Sequence, residues 1–283
     1  MANAEIYDFF YRKRWPTGFE CPRCGHRECC IVTTRKLPLY QCGLCRHQTS
    51  LTAGTVMHGS RASLEKWAAA IQLLSASGGV NASQLSAAIG VTYKTAWSML
   101  RSIRRAIGAV EAERPLRGEV CAGVAFAGRW FYQPYVLYPD ERVVIVGAAV
   151  DRESGMPLAL KMHVVPREHL TEFKEITRQG KAAFESRHVH PLADRFTFLK
   201  PVQMHRFNPL AERFQYARQW LNARFRGLGA ASIQPYLDEY CFRFGIAARG
   251  ASPVEEWLKL CLRHDLPRSA RSGASGDERR HAA

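Results

Sequence analysis

Two Cys-x-x-Cys pairs constrain the fold of this chain more than any other feature. Cys21 and Cys24 stand as CPRC, Cys42 and Cys45 stand as CGLC, and 17 residues separate the pairs. This spacing is typical of four-thiolate zinc sites, in which each pair occupies a tight turn. Because the chain would then fill all four positions around a tetrahedral ion, the sequence predicts a structural Zn²⁺ rather than a catalytic one.

The alternatives for these pairs are chance spacing and a redox motif. Gly25 and Gly43 favour the tight turns that a metal site needs. The five other cysteines lack the paired spacing and are interpreted as side chains that pack in the interior. They are Cys29, Cys30, Cys121, Cys241 and Cys261.

An excess of positive charge accompanies the cysteine pairs. The 283 residues include 40 Lys and Arg against 25 Asp and Glu, and 14 of the basic but only 5 of the acidic residues lie in the first 110. This balance suits a polyanionic partner, and double-stranded DNA is the partner that we predict. The alternative is a basic protein without such a partner.

The amino terminus and the hydropathy of the chain favour a cytoplasmic, nucleoid-associated location. The first residues, MANAEIYDFFYRKRWP, mix aromatic and basic side chains and lack the cleavage site of a signal peptide. No stretch approaches the ~18 uninterrupted apolar residues of a membrane span. We therefore expect no membrane contact and reduced cysteines, and we leave a homo-oligomer open.

Three helical patterns follow the cysteine-rich segment. Apolar residues recur at helical spacing from Leu64 to Leu74, behind a cap expected at Ser63, and again in SQLSAAI. Gly90 then interrupts the chain, Thr92 is suited to cap, and TYKTAWSMLRSIRRAI predicts the third helix. Two short helices joined by a glycine-containing turn are typical of a helix-turn-helix.

The third helix has a basic face apart from its apolar stripe. Lys94, Arg101 and Arg105 lie on that face and are predicted to contact phosphates. Tyr93, Lys94 and Thr95 at the start of the helix are predicted to lie near base edges. The alternative is a solvated basic face on a helical hairpin.

The period of the sequence changes after residue 117. The apolar runs GEVCAGVAFAG, RVVIVGAAVD and PLALKMHVVP are separated by turn signals and predict a three-stranded antiparallel meander. HLTEFKEITRQ, PLAERFQYARQWLNARF and SIQPYLDEYCFRF then predict helices, which gives an α+β or α/β domain. The tail from Ser269 is poor in apolar residues, and we expect it to be disordered.

Five aromatic residues between the first two runs are interpreted as hairpin packing, with base stacking as the alternative. They are Trp130, Phe131, Tyr132, Tyr135 and Tyr138.

Taken together, these segments resemble bacterial insertion-sequence transposases with an amino-terminal zinc ribbon. The resemblance rests on the cysteine pairs, LTAGTVMHGSRASLEKW, the helical segment that ends in KTAWSMLRSIRRAI, and YLDEYCFRF. It extends from about Phe19 to about Arg249. It implies that the meander belongs to an RNase-H-like domain of the DDE type, which cleaves and transfers DNA strands with Mg²⁺.

The resemblance also implies where catalytic acids should stand. The family's Asp-Glu pair aligns with Gly123 and Val124, and its His-x-Asn-x-x-Glu stretch aligns with RFNPLA, where Asn208 is retained and Ala211 takes the glutamate position. The family's second Asp has no counterpart in a Thr-Asp-Gly-like turn. GKAAFESRHVHP occupies that region, with Glu185 as a loose candidate.

The loss of these acids matters because strand transfer in this fold needs Mg²⁺ ions held ~3.5–4 Å apart by carboxylates. Glu119 shares the strand face of Gly123 but lies ~13 Å away along the strand. Asp151 and Asp194 would replace the lost acids only in a different architecture. We therefore expect Mg²⁺ as a cofactor only if a shifted alignment restores the acids.

The sequence predicts an α+β multidomain protein. A zinc ribbon is expected over residues 1–50, a helical helix-turn-helix domain over 51–112, an RNase-H-like α/β domain over 113–250, and a carboxy-terminal helix and tail over 251–283. The predicted function is a transposase-family DNA-binding protein with a degenerate, inactive DDE-type site. The alternatives are an active insertion-sequence transposase and a zinc-ribbon scaffold that recruits other proteins.

Overall fold

The computed structural model describes residues 3–33, 38–76, 78–127, 141–200, 203–204, 208–225, 228–229 and 232–264. The predicted disordered tail and the five aromatic residues between 130 and 138 lie outside these ranges. The chain divides into two compact units. Residues up to Ala106 and from Ser252 form the first, and Ile107–Ala251 form the second.

The first unit combines a small antiparallel sheet with helices. The sheet has the strand order β1-β2-β3. Its strands are β1 (Cys29–Val32), β2 (Leu39–Cys42) and β3 (Gln48–Ser50). The helices are α1 (Asn3–Arg14), α2 (Leu64–Ser75), α3 (Ala82–Ile89), α4 (Tyr93–Ala112), whose last turns belong to the second unit, and α8 (Pro253–Leu262).

Helix α1, which the sequence analysis did not predict, packs through aromatic side chains. Phe10, Trp15, Phe19 and Tyr40 are buried, and the ring centroids of Trp15 and Tyr40 lie 5.0 Å apart. Aromatic side chains bury large apolar areas and favour such edge contacts. The segment before the first cysteine pair therefore shares a core with strand β2.

The predicted helices α2, α3 and α4 are confirmed, and of the two expected caps Thr92 is confirmed and Ser63 is wrong. Ser63 makes no side-chain cap hydrogen bond to α2, whereas Thr92 Oγ1 accepts from the N–H of Thr95 at 3.2 Å. Asn81 and Gln84 form a reciprocal capping box at the start of α3. Helix α8 packs within the first unit, against α1 and α2.

The second unit is built on a four-stranded sheet with the order β6-β5-β4-β7. Strands β4, β5 and β6 are antiparallel neighbours, which confirms the predicted meander, and β7 pairs with β4 in parallel. The elements are β4 (Glu119–Ala127), β5 (Arg142–Val150), β6 (Pro157–Val164), α5 (Arg178–His188), β7 (Arg195–Phe198), α6 (Pro209–Arg224) and α7 (Gln234–Ala248). Strand β7 was not predicted.

Helices cover both faces of this sheet. One core joins the sheet to α6 and α7 through residues such as Val146, Phe214 and Cys241, and the other joins it to α5 through Ile145 and Phe184. Burial on both faces explains why β5 reads as a continuous apolar run. None of the helices in the described ranges is long and apolar enough to cross a membrane.

The predicted helix HLTEFKEITRQ is wrong. Leu170 and Ile176 form an isolated antiparallel bridge, and Lys174 adopts a positive φ of 63° that interrupts a helix. The Lys174 ammonium lies 2.5 Å from Glu141 Oε2, and both side chains are buried. Helix α5 begins only at Arg178, where Thr177 Oγ1 accepts from the N–H of Gly180.

Candidate metal centre and nucleic-acid interface

The structure brings together the four cysteines that the sequence predicts as metal ligands. The four Sγ atoms lie within 4.8 Å of one another, and Cys24 Sγ lies 3.4 Å from Cys45 Sγ and 3.6 Å from Cys42 Sγ. A tetrahedral Zn²⁺ with Zn–S distances of ~2.3 Å places its sulfurs ~3.8 Å apart. The donor set therefore fits Zn²⁺ with little movement and leaves no position for water.

The two cysteine pairs occupy equivalent turns. The N–H of Cys21 and the N–H of Cys42 each donate to the carbonyl oxygen five residues further on, at 2.9 Å in both turns. The residue four positions after each of these cysteines has a positive φ, which is 73° at Gly25 and 58° at Arg46. The first turn thus uses the glycine that the sequence singled out, whereas the second accepts an arginine there.

The environment of Cys42 favours its thiolate. Burial raises the pKa of the Cys42 thiol, but hydrogen bonds from the N–H groups of Cys45 and Leu44 and from neighbouring thiols outweigh burial and lower this pKa to about 6. Zn²⁺ binds thiolates, and the backbone groups favour that form at Cys42. At Cys24 a backbone hydrogen bond with His26 lowers the pKa, but burial and the three neighbouring thiols raise this pKa to about 12. Among the cysteines outside the site, Cys241 and Cys261 are buried as expected, but Cys30 is exposed on β1.

The predicted DNA-contacting residues all lie on α4, and their exposure differs. Tyr93 and Lys94 are exposed and Thr95 is half-buried in the first turn. Arg101 and Arg105 are half-buried, and the Arg101 guanidinium lies 5.1 Å from the centre of the Trp97 ring. The start of α4 is therefore the more accessible part of the predicted face.

A groove between the start of α2 and the turn before α4 adds basic residues that the sequence analysis missed. This α2–α4 groove has a volume of about 570 Å³, and Arg61, Lys66, Thr92 and Thr95 contribute to its lining. Lys66 Nζ donates to the carbonyl oxygen of Gly90 at 2.7 Å, which holds the Lys66 side chain in the groove. The signal was present in the sequence as two basic residues that flank the start of α2.

The two residues aligned with the family's Asp-Glu pair lie on opposite faces of β4. Val124 packs into the core formed with α5, whereas Gly123 points towards the face covered by α6 and α7. A Cβ placed on Gly123 would overlap Met204 Sδ and would lie 2.7 Å from Met204 Cγ. The Met204 side chain thus fills the space in which a side chain of residue 123 would stand.

The retained Asn208 has a structural role at the start of α6. Its Oδ1 accepts from the N–H of Leu210 at 2.9 Å, and its Nδ2 donates to the carbonyl oxygen of Gln203 at 2.9 Å. An asparagine at this position caps a helix without any metal. Ala211, in the glutamate position, is half-buried in the first turn of α6 and offers no ligand.

Glu119 and Asp194, two acids that could have replaced the missing carboxylates, pair with arginines at the start of β4. Glu119 lies at the start of β4, 3.9 Å from Arg195, and Asp194 pairs with Arg152 at 2.7 Å. The N–H of Asp194 donates to the carbonyl oxygen of Gly118, which places Asp194 at the same end of β4 as Glu119. These arginine-paired acids therefore lie away from Gly123.

Glu185, the remaining candidate, is exposed on α5. The segment GKAAFESRHVHP, which the resemblance places at the family's second Asp, is therefore mostly helical. Strand β7 instead ends beside Gly123. The N–H of Leu199 donates to the carbonyl oxygen of Ala122 at 2.7 Å, and the exposed Lys200 follows. A basic residue rather than an acid thus follows β7 beside β4.

These features define a protein with a four-thiolate zinc-ribbon site joined to a mixed four-stranded α/β unit. Residues 2–48 match the transposase zinc-ribbon domain family. The chain is also 26% identical, over 286 aligned positions, to the "Uncharacterized protein in transposable element ISH50" of Halobacterium salinarum, and the alignment covers 88% of this chain and 92% of that protein. No solved structure matches the chain. The amino-terminal segment is therefore similar to a transposase zinc ribbon, and its four cysteines fit structural zinc.

Proposed function

We propose that the chain is a transposase-family DNA-binding protein whose DDE-type site does not support Mg²⁺-dependent strand transfer. The observation that carries the proposal is the contact between Met204 and Gly123 on the face of β4 that α6 covers. A two-metal site needs carboxylates that converge on one point, and a thioether packed on glycine supplies none.

The topology of the second unit supports an RNase-H-like assignment for this domain. Three antiparallel strands are followed by a helix and then by a fourth strand that pairs in parallel with the first of them. Helices lie on both faces. In an open α/β sheet, ligand sites form where adjacent parallel strands stop pairing. The parallel pairing of β4 with β7 ends at Ala122 and Phe198, which places such a site beside Gly123 and Leu199.

Two basic surfaces in the first unit support DNA binding by a helix-turn-helix. The first is the start of α4, where Tyr93, Lys94 and Thr95 are accessible, and the second is the α2–α4 groove with Arg61 and Lys66. Basic side chains beside a recognition helix contact phosphates and position the helix in the major groove. Zn²⁺ contributes indirectly, because it fixes the ribbon that packs with α1.

DNA binding is tested by the salt dependence of affinity for a duplex taken from the ends of the element. Each lost phosphate contact lowers the slope of log affinity against log salt by about 0.9. We expect a lower slope in two multiple variants. The groove variant combines Arg61→Ala with Lys66→Ala, and the α4 variant combines Lys94→Ala, Arg101→Ala and Arg105→Ala.

The control is Arg178→Ala, which removes an exposed basic residue of α5 in the second unit. An unchanged slope in both multiple variants would refute the assignment of the DNA surface. A slope that changes only in the groove variant would refute the assignment of the α4 residues.

A further inference from the structure

A second polar cavity lies within the Ile107–Ala251 unit, and the proposed function makes no use of it. The cavity has a volume of about 210 Å³ and lies between the end of α4, strand β6, the end of α5 and helix α7. Strand β6 is separated from β4 by β5, so the cavity is distinct from the Gly123 position. Its lining includes Glu111, Lys161, His163, Arg187, His188 and Asp238.

His188 is the side chain that most needs a ligand here. Both of its ring nitrogens are buried and have no hydrogen-bond partner in the part of the chain that the structure describes. Burial lowers the pKa of His188 to about 3, with smaller contributions from His163, Lys161 and Arg187, so the ring is neutral near pH 7. A neutral imidazole presents one donor and one acceptor, and buried groups of this kind are normally satisfied.

The charged groups inside the cavity have hydrogen-bond partners within the protein. Lys161 Nζ donates to the carbonyl oxygen of Glu111 at 2.6 Å and to its carboxylate. Asp238 Oδ1 accepts from Gln234 Nε2 at 2.8 Å, and burial raises the pKa of Asp238 to about 6. The cavity interior therefore combines the Lys161–Glu111 ion pair with an Asp238 carboxyl that is largely ionised near pH 7.

The walls and the rim of the cavity differ in character. The rings of His163 and His188 have centroids 4.9 Å apart and provide flat surfaces. Arg187 is exposed at the rim of the cavity and has no hydrogen bond or ion pair within the described ranges. A ligand that fits has a planar polar part for the interior and an anionic group for the rim.

We propose that this cavity binds one unpaired nucleotide of DNA, with its base beside His163 and His188 and its phosphate at Arg187. The proposal rests on the proposed function, namely that the chain binds DNA. A base carries donors and acceptors on one planar edge and packs on flat side chains, which matches the two unpartnered His188 nitrogens and the Asp238 carboxyl. The volume of about 210 Å³ is far more than the ~10–15 Å³ that one water requires, so a base would displace several waters.

Other ligand classes fit less well. A metal ion would face the positive charges of Lys161 and Arg187, and the cysteine site is the one cluster of three or more metal ligands in the described ranges. A small anion would face Glu111 and Asp238 in the interior. A neutral heterocycle with an attached phosphate avoids both conflicts.

The first test compares DNA hairpins that bind to the full-length, zinc-loaded protein. One hairpin carries a single unpaired nucleotide, the second carries an abasic residue there, and the third is fully paired. Stacking and hydrogen bonding of one base predict about tenfold tighter binding of the first hairpin than of the second.

Two variants and a matched control locate that preference. His188→Phe keeps a flat ring and removes both nitrogens, so it should reduce the preference for the unpaired base over the abasic residue. Arg187→Gln removes the rim cation that meets the phosphate, so it should weaken the unpaired and the abasic hairpin alike, relative to the fully paired hairpin. Arg178→Gln changes another exposed arginine nine residues earlier on α5 and should alter neither the preference nor these affinities. No preference in the parent protein, or an equal loss in the two arginine variants, would overturn the proposal.

The second test uses free deoxynucleoside monophosphates and saturation-transfer NMR, so that it does not depend on duplex binding. Base protons should receive saturation from the parent protein and much less from His188→Phe. Complete displacement of the nucleotide by an equal concentration of inorganic phosphate would show an anion site only and would refute base recognition. If the protein binds no DNA at all, the proposed function fails, while this arm still decides whether the cavity takes a nucleotide.

Discussion

Met204 Sδ lies against Gly123, in the space that a Cβ of residue 123 would occupy. The two residues are 81 positions apart in the chain, and a side chain at position 123 would require the Met204 side chain to move. Because interiors are close-packed, a side chain added at one position must displace the other. The Met204 side chain therefore packs on the strand at the position where the family resemblance implies an acid.

The first prediction concerns this contact. Gly→Ala in a strand without close neighbours stabilises a protein by roughly 0.5–1 kcal/mol, but Gly123→Ala should destabilise this one by about 1–3 kcal/mol because it overpacks Met204. In the Met204→Ala background the same change should become neutral or stabilising. Urea denaturation of the four proteins in this double-mutant cycle measures the coupling. Additive effects would show that the contact does not exist in solution.

The second prediction concerns the zinc site. Parent protein should contain about one Zn²⁺ per chain, and Cys42→Ser should lose most of it and unfold the ribbon, because a structural zinc contributes directly to folding. Cys30→Ser is the matched control, since Cys30 is an exposed cysteine on β1 outside the cluster. Elemental analysis checks both variants. Equal zinc contents in the two variants would rule out the assigned ligands.

The third prediction concerns pH. The folded pKa of His188 is lowered to about 3 chiefly by burial, so between pH 6.5 and 3 the unfolded chain binds a proton that the folded chain does not. The free energy of unfolding should therefore decrease as the pH falls through this window, by about 1.4 kcal/mol per pH unit from this group. His188→Phe should reduce that slope and keep full stability at pH 7.

Two other titratable groups in the cavity, His163 and Asp238, also contribute to the pH dependence of stability. The pKa of His163 is also lowered, to about 4, mainly by burial, so it adds a contribution of the same sign. Asp238 acts in the opposite direction, since its raised pKa gives stability that is present below its ordinary value and lost as the pH rises through about 6. The contribution of His188 is the difference between the parent and His188→Phe in how the free energy of unfolding changes with pH. Urea denaturation from pH 4.5 to 7.5 measures this difference. Identical slopes in the two proteins would contradict the burial of His188.

Local patterns in the sequence predicted much of this structure. The cysteine spacing predicted the metal cluster, and continuous apolar runs predicted β4, β5 and β6. The sequence did not predict strand β7, because its four residues of mixed exposure form no apolar run. The strand depends on parallel pairing with β4, which lies more than 60 positions earlier in the chain. The sequence could not predict the cavity beside His188 or the Gly123–Met204 contact, because each depends on residues that the tertiary fold brings together.

The central claim is that the protein binds DNA without cleaving or joining it, and one assay tests this directly. Full-length, zinc-loaded protein is incubated with DNA that carries its own element ends, in Mg²⁺ or Mn²⁺, and the strands are separated to detect nicks and joined products. We predict salt-dependent binding and no products, since Gly123, Lys200 and Ala211 offer no metal ligand. Metal-dependent products that disappear on replacing Glu119, Glu185 or Asp194 with Ala would show an active site assembled elsewhere and would contradict the account.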